Sequence, residues 1–143
     1  MMEYLLDYDK TDPHSIEKYA QKLIGKTFAE VCKEDEQSRK SIIKEDSATY
    51  KAAVANKRQK GGLGKIIEER FFHYPANDES RPDFPEAGVE LKVSPYQYTS
   101  KNRKVAKERL IITMINFNEV VSECFEKSHL WNKSKLILLV YYL

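Results

Sequence analysis

Pro82-Asp83-Phe84-Pro85-Glu86-Ala87-Gly88-Val89-Glu90-Leu91-Lys92-Val93 is the stretch on which the fold turns. From Gly88 onward Val89, Leu91 and Val93 alternate with Glu90 and Lys92. That period of two predicts a half-buried strand, with the apolar side chains on one face and the charged pair on the other. Glu86 falls in the turn before it. Upstream, residues 73–82 read as a loop marked by Pro75, Asn77, Asp78, Ser80 and Pro82. Before that loop, Ile66, Ile67, Phe71 and Phe72 form a helical run behind Gly61-Gly62-Leu63-Gly64, whose glycines serve either as a hinge or for tight packing. Downstream, residues 109–115 are apolar and β-branched and predict a second strand. Residues 135–143 are nearly all apolar and predict a third strand, central in a sheet.

The N-terminal part reads as helical. Asp12-Pro13-His14-Ser15 supplies a turn and an N-cap, Ile16, Tyr19, Ala20 and Leu23 follow at helical spacing, and Gly25 stops the helix. A second helix starts at Thr27, with Phe28 and Val31 on its apolar face, and the charge-dense residues 33–50 read as exposed helix or loop. The expected organisation is a helical part over residues 1–59 and a sheet-bearing part over 60–143. Because the chain stops inside an apolar strand pattern, it is expected to be a single N-terminal domain or a fragment of something longer.

Composition excludes several classes. A chain of 143 residues with 41% hydrophobic and 32% charged residues is globular and of one-domain size. Nine Tyr and six Phe argue against disorder. Two cysteines, Cys32 and Cys124, make neither a disulfide framework nor, with His14, His73 and His129, a zinc signature. No apolar run approaches the roughly 18 residues of a membrane span, so the expected setting is reducing, cytoplasmic and free of membrane.

Net charge is only +2, from 24 basic and 22 acidic residues, so any surface for nucleic acid must come from segregation. Residues 51–65 carry Lys51, Lys57, Arg58, Lys60 and Lys65 with no acid; residues 101–109 carry Lys101, Arg103, Lys104, Lys107 and Arg109 against Glu108 alone. Between them, residues 67–92 hold seven acids and three bases. An acidic pocket between basic stretches suits an enzyme that grips a phosphate backbone and presents it to metal ions. Two solvated lysine-rich faces would produce the same counts.

Asp83, Glu90 and Lys92 carry the chemistry. Glu90 and Lys92, two apart on a strand, leave the same face, and Asp83 lies at the mouth of that strand. Two carboxylates around one hard cation, with an ammonium beside it, fit Mg²⁺, which takes a few carboxylate oxygens plus water and phosphate. Lys92 would orient or deprotonate the attacking water. Alone, the pattern is more often that of a solvent-facing edge strand with an i,i+2 Glu–Lys pair.

Residues 82–93 closely resemble the active-site segment of the MutH-type endonucleases, which join a mismatch-repair nicking enzyme to restriction endonucleases cutting at GATC. Three further stretches fall in the family's order. Lys60-Gly61-Gly62-Leu63-Gly64-Lys65-Ile66-Ile67-Glu68 resembles the helix bearing an upstream catalytic glutamate. Ala106-Lys107-Glu108-Arg109-Leu110 through Ile115-Asn116-Phe117 resembles the restriction branch, and Glu126-Lys127-Ser128-His129 followed by Lys133 resembles the segment with a second catalytic lysine.

The resemblance implies an α/β fold of the PD-(D/E)xK restriction-endonuclease kind, a mixed sheet flanked by helices. It implies a type II site-specific deoxyribonuclease that leaves a 5′-phosphate, with nicking and a non-catalytic DNA-binding module as alternatives. It assigns Asp83 and Glu90 as ligands of Mg²⁺, with Mn²⁺ as substitute, and the Leu91 carbonyl as a further ligand. Lys92 becomes the nucleophile-activating lysine, Glu68 holds or orients water with Glu69 competing for the part, and Lys133 contacts the scissile phosphate. Lys133 reads equally well as a lysine snorkelling before a buried strand. The implied partner is double-stranded DNA, with room for a dimer formed on it and base-reading loops C-terminal to residue 143. His129 reads as a structural histidine, and Phe71, Phe72 and Trp131 as core or core-rim aromatics.

Overall fold

The computed structural model describes residues 6–40, 62–74 and 81–143. The basic residues Lys51, Lys57, Arg58 and Lys60, and most of the predicted loop before Pro82, lie outside the described residues. The chain divides into two compact units: Met1–Tyr8 with Ile16–Ala76, and Asp9–Ser15 with Asn77–Leu143.

Helix α1 (Pro13–Ala20) starts where the sequence says it should. The Asp12 carboxylate accepts the His14 N–H at 3.0 Å, and Pro13 takes the first helical position, where an N–H would have no partner. A 3₁₀ turn, Gln21–Leu23, runs out to Gly25 at φ +80°. Helix α2 (Phe28–Lys40) opens on a capping box: Thr27 Oγ1 accepts the Glu30 N–H at 3.2 Å, while Glu30 Oε2 accepts the Thr27 N–H at 2.7 Å. Helix α3 (Gly62–Ile66) continues into a π-helical turn, Ile67–Phe71. A Cβ at Gly62 or Gly64 would meet nothing within 4 Å among the described residues, so neither glycine is needed for tight packing against them.

The core of the helical unit is aromatic. Tyr8, Tyr19, Phe71 and Phe72 lie ring against ring, with centroids 4.7 Å apart for Tyr19–Phe71 and 5.6 Å for Tyr8–Phe72. Tyr8 Oη donates to the Phe72 carbonyl at 2.8 Å and Tyr19 Oη to that of Phe71 at 3.3 Å, so the phenols satisfy carbonyls at the end of the turn while their rings pack on one another. Beneath them Arg70 reaches the fully buried Asp35 carboxylate at 2.9 Å.

The second unit holds a mixed sheet in the order β2-β1-β3, formed by β1 (Glu90–Tyr98), β2 (Lys104–Ala106) and β3 (Ile137–Tyr142). β1 pairs antiparallel with β2 and parallel with β3. With the helices, this makes the chain α/β. Helix α4 (His129–Ser134) precedes β3 and is capped by Ser128, whose Oγ accepts the Trp131 N–H at 3.1 Å.

Three expectations are corrected. Residues 109–115 form no strand and are largely exposed, Ile111 at 63%. Their β-branched composition is a preference for a pleated, half-buried surface, and no neighbouring strand among the described residues supplies one. β3 lies at an edge of the described sheet, not at its centre, and leaves Tyr141 55% exposed. Trp131 is 38% exposed and packs on Phe125, with ring centroids 5.4 Å apart.

Candidate active site

A tight antiparallel bridge builds the site. Phe84 and Val89 exchange both backbone hydrogen bonds, at 2.9 and 3.1 Å, closing a turn whose last residue, Gly88, has φ +67°. That left-handed conformation is one a side chain rarely adopts. Phe84 is fully buried and anchors the bridge, a burial that contributes about 2–3 kcal/mol. Continuing the same register by one residue sets Asp83 opposite Glu90, on one face. A separation of seven in sequence therefore becomes direct opposition.

Asp83 is held there by the backbone. Its Oδ2 accepts the Leu91 N–H at 2.8 Å. The Glu90 N–H points the other way, to the Leu136 carbonyl at 3.0 Å, as the parallel pairing with β3 requires. Because N–H and C=O of one strand residue leave by the same edge, the Leu91 carbonyl lies on the Asp83 side of β1.

The charged face of β1 is withdrawn from solvent at Glu90, further than the half-burial expected of the strand. Glu90 is 2% exposed. Its Oε1 receives two ammonium groups, Lys92 Nζ at 2.8 Å and Lys133 Nζ at 3.7 Å. Lys92 arrives by period two along the strand. Lys133 arrives because β3 lies parallel to β1 with Glu90 opposite Ile137, which carries the end of α4 to the start of β1. The snorkelling alternative for Lys133 thus gives way to an ion pair with Glu90.

The other oxygen, Glu90 Oε2, is buried and has no hydrogen-bond partner among the described residues. A buried carboxylate oxygen left so is costly. Across from it, burial first and the Glu90 charge second push the Asp83 carboxyl above its ordinary value, against the Leu91 hydrogen bond and the two lysines, which pull it down. Two carboxylates that repel in a water-poor place, one with an unused oxygen, are a donor set that fits a hard divalent cation.

Glu68 belongs to the helical unit, on the π-helical turn, where its carbonyl accepts the Tyr74 N–H at 3.0 Å. Glu69 pairs with Lys65 at 3.7 Å, and Glu86 with Lys10 at 3.0 Å. His129 is exposed instead of structural, with Nε2 3.9 Å from Glu123 Oε1. With Glu119 it forms a group whose potential ligand atoms all lie within 4.8 Å of one another, at the surface. The i,i+4 spacing of Glu119 and Glu123 was its only trace in sequence. No helix among the described residues is long and apolar enough to cross a membrane.

A stretch of 86 residues is 36% identical to the type II restriction enzyme Sau3AI of Staphylococcus aureus, covering 60% of this chain and 17% of that enzyme. The chain thus spans about a sixth of the length of the curated relative it matches. Residues 72–143 match the family of the DNA mismatch repair enzyme MutH, from the fully buried Phe72 through the bridge, β1, α4 and β3. That match takes in half of the chain, with Glu90 and the three side chains gathered around it, so the protein belongs to the MutH family, as the resemblance in residues 82–93 implied.

Proposed function

We propose that the chain carries the cutting centre of a Mg²⁺-dependent DNA endonuclease, of the PD-(D/E)xK kind and the GATC-cleaving restriction branch. The observation that carries this reading is the unpartnered Glu90 Oε2, buried opposite the charge-strained Asp83. Asp83 and Glu90 would hold the cation, with the Leu91 carbonyl on the same edge as a third oxygen. When bound, such a cation polarises the phosphoryl group and strengthens water as a nucleophile.

The chain's own groups do the rest. Lys92, held as the ammonium partner of Glu90 at 2.8 Å, orients the attacking water and faces the charge growing on the phosphate. Lys133, on the same oxygen, contacts the scissile phosphate from the α4 side. The water oxygen forms the new bond to phosphorus and gives up a proton to solvent, the bond to the 3′ oxygen breaks, and that oxygen takes a proton from solvent, leaving a 3′-hydroxyl and a 5′-phosphate. Glu68, on the helical unit, keeps the water-ordering part that the resemblance implies for it. Manganese, with similar oxygen chemistry, substitutes for magnesium.

The test is to incubate the purified chain with Mg²⁺ and a duplex containing GATC. Metal-dependent cleavage that Asp83→Ala abolishes is the expected result. Undiminished cleavage by Asp83→Ala overturns the assignment. A structure soaked with Ca²⁺ or Mn²⁺ checks the same point independently: density between the two carboxylates is expected. The family's description as a mismatch repair enzyme favours a second reading, a nickase cutting one strand.

A further inference from the structure

Beside the carboxylates opens a cleft of about 470 Å³ whose polar lining is Arg81, His129, Asn132 and Lys135, the remainder being two prolines and Gly88. Among the described residues no acidic side chain lines it. In a chain of 24 basic and 22 acidic residues this is a local separation of charge, with the anionic site on one side and a cationic wall on the other. The two are joined by the chain itself. Pro82 adjoins Asp83, Gly88 stands two residues before Glu90, and Asn132 and Lys135 flank Lys133.

Gly88 shapes the wall as well as the turn. A Cβ there would stand 3.3 Å from Cε and 3.7 Å from Nζ of Lys135, so the lysine lies along a backbone left bare. No acidic group among the described residues is ion-paired with Lys135, and its charge is available to a ligand. Arg81 presents a guanidinium fork, which matches two phosphate oxygens at once. Asn132 adds an amide donor and His129 a ring N–H.

We propose that this cleft is an anion subsite that holds a backbone phosphate of duplex DNA neighbouring the one attacked at Asp83 and Glu90. It rests on the nuclease reading of those carboxylates. Lys135 and Arg81 neutralise the phosphate, and Asn132 and His129 orient it. A duplex carries one charge per about 1.7 Å of its axis, so a site that handles only the scissile phosphate leaves its neighbours unmet. These are positioning residues: a phosphate contact fixes register without reading sequence.

The experiment measures the affinity of the chain for a short labelled duplex in Ca²⁺ between about 50 and 200 mM KCl, for wild type, Lys135→Met, Arg81→Met and Lys135→Arg. Each Met variant is expected to weaken binding several-fold, equally for duplexes with and without GATC, and to flatten the slope of log K against log salt by about one. Lys135→Arg restores the slope. Unchanged slopes in both Met variants overturn the subsite, as does a loss confined to GATC duplexes. Cleavage in Mg²⁺ is scored alongside. Cleavage with unchanged slopes overturns the subsite alone; flattened slopes without cleavage by wild type overturn the nuclease reading and keep the anion subsite; no duplex binding overturns both.

Discussion

Glu90 shows how one residue changes meaning between sequence and structure. As the first charged residue of an alternating strand it belongs on a wet face, yet it is 2% exposed and holds two lysines on one oxygen. Glu90→Gln removes the charge that both ammonium groups answer and the oxygen assigned to the cation. Cleavage is expected to fall by at least about 100-fold, on the scale of losing one preorganised electrostatic contact at a reacting centre. Lys92 and Lys133, each about four-fifths buried, are then left facing each other. Denaturation in EDTA should accordingly show a loss of about 1–3 kcal/mol.

Asp83 behaves in the opposite sense. Burial and the neighbouring Glu90 raise its pKa, so the fold binds the proton more tightly than the unfolded chain does. Stability is gained as pH falls through the raised folded value and is lost above it. Asp83→Asn keeps an acceptor for the Leu91 N–H and removes the repelling charge. In EDTA at neutral pH this variant should melt higher than wild type while its cleavage is lost. Lower melting would show that the metal-free site is not strained by its charges.

At the level of elements, the helical unit is clasped by a buried ion pair between α2 and the π-helical turn. Asp35 has no exposed side-chain surface, and its two oxygens face Arg70 at 2.9 Å and His73 Nδ1 at 3.4 Å. Replacing both members by apolar groups could be neutral, but removing one strands the other. Asp35→Asn is expected to cost about 3–5 kcal/mol in chemical denaturation. The helix starts were legible in sequence because caps are local: Asp12 and Thr27 satisfy N–H groups two and three residues away. Strand partners were less legible. Residues 109–115 carry strand composition without a ladder, whereas Lys104–Ala106, short and exposed, pairs with Tyr96–Tyr98. Pairing is decided by which backbone comes alongside, and composition does not record that.

For the whole molecule, near-balanced charge means that on the nuclease reading proposed above the affinity for DNA would rest on where the cations stand. The number of strands cut follows from how copies of the site meet the duplex, since each site attacks one phosphate. On the restriction reading a supercoiled plasmid is expected to end as linear product on agarose gels. Persistent open circles would assign nicking instead.

The sequence by itself determined what depends on near neighbours: the capped helices, the strand after Gly88, Glu90 and Lys92 on one face, and the likeness of residues 82–93 to the MutH-type segment. Each follows from backbone geometry or spacing within a few residues. Only the tertiary structure decided that Asp83 stands opposite Glu90, through the Phe84–Val89 bridge, and that Lys133 reaches the same carboxylate, through the parallel pairing of Glu90 with Ile137. It alone also decided that Glu90 is buried and that Arg81 and Lys135 line one cleft. Burial and charge proximity are sums over groups distant in the chain, and no local period carries them.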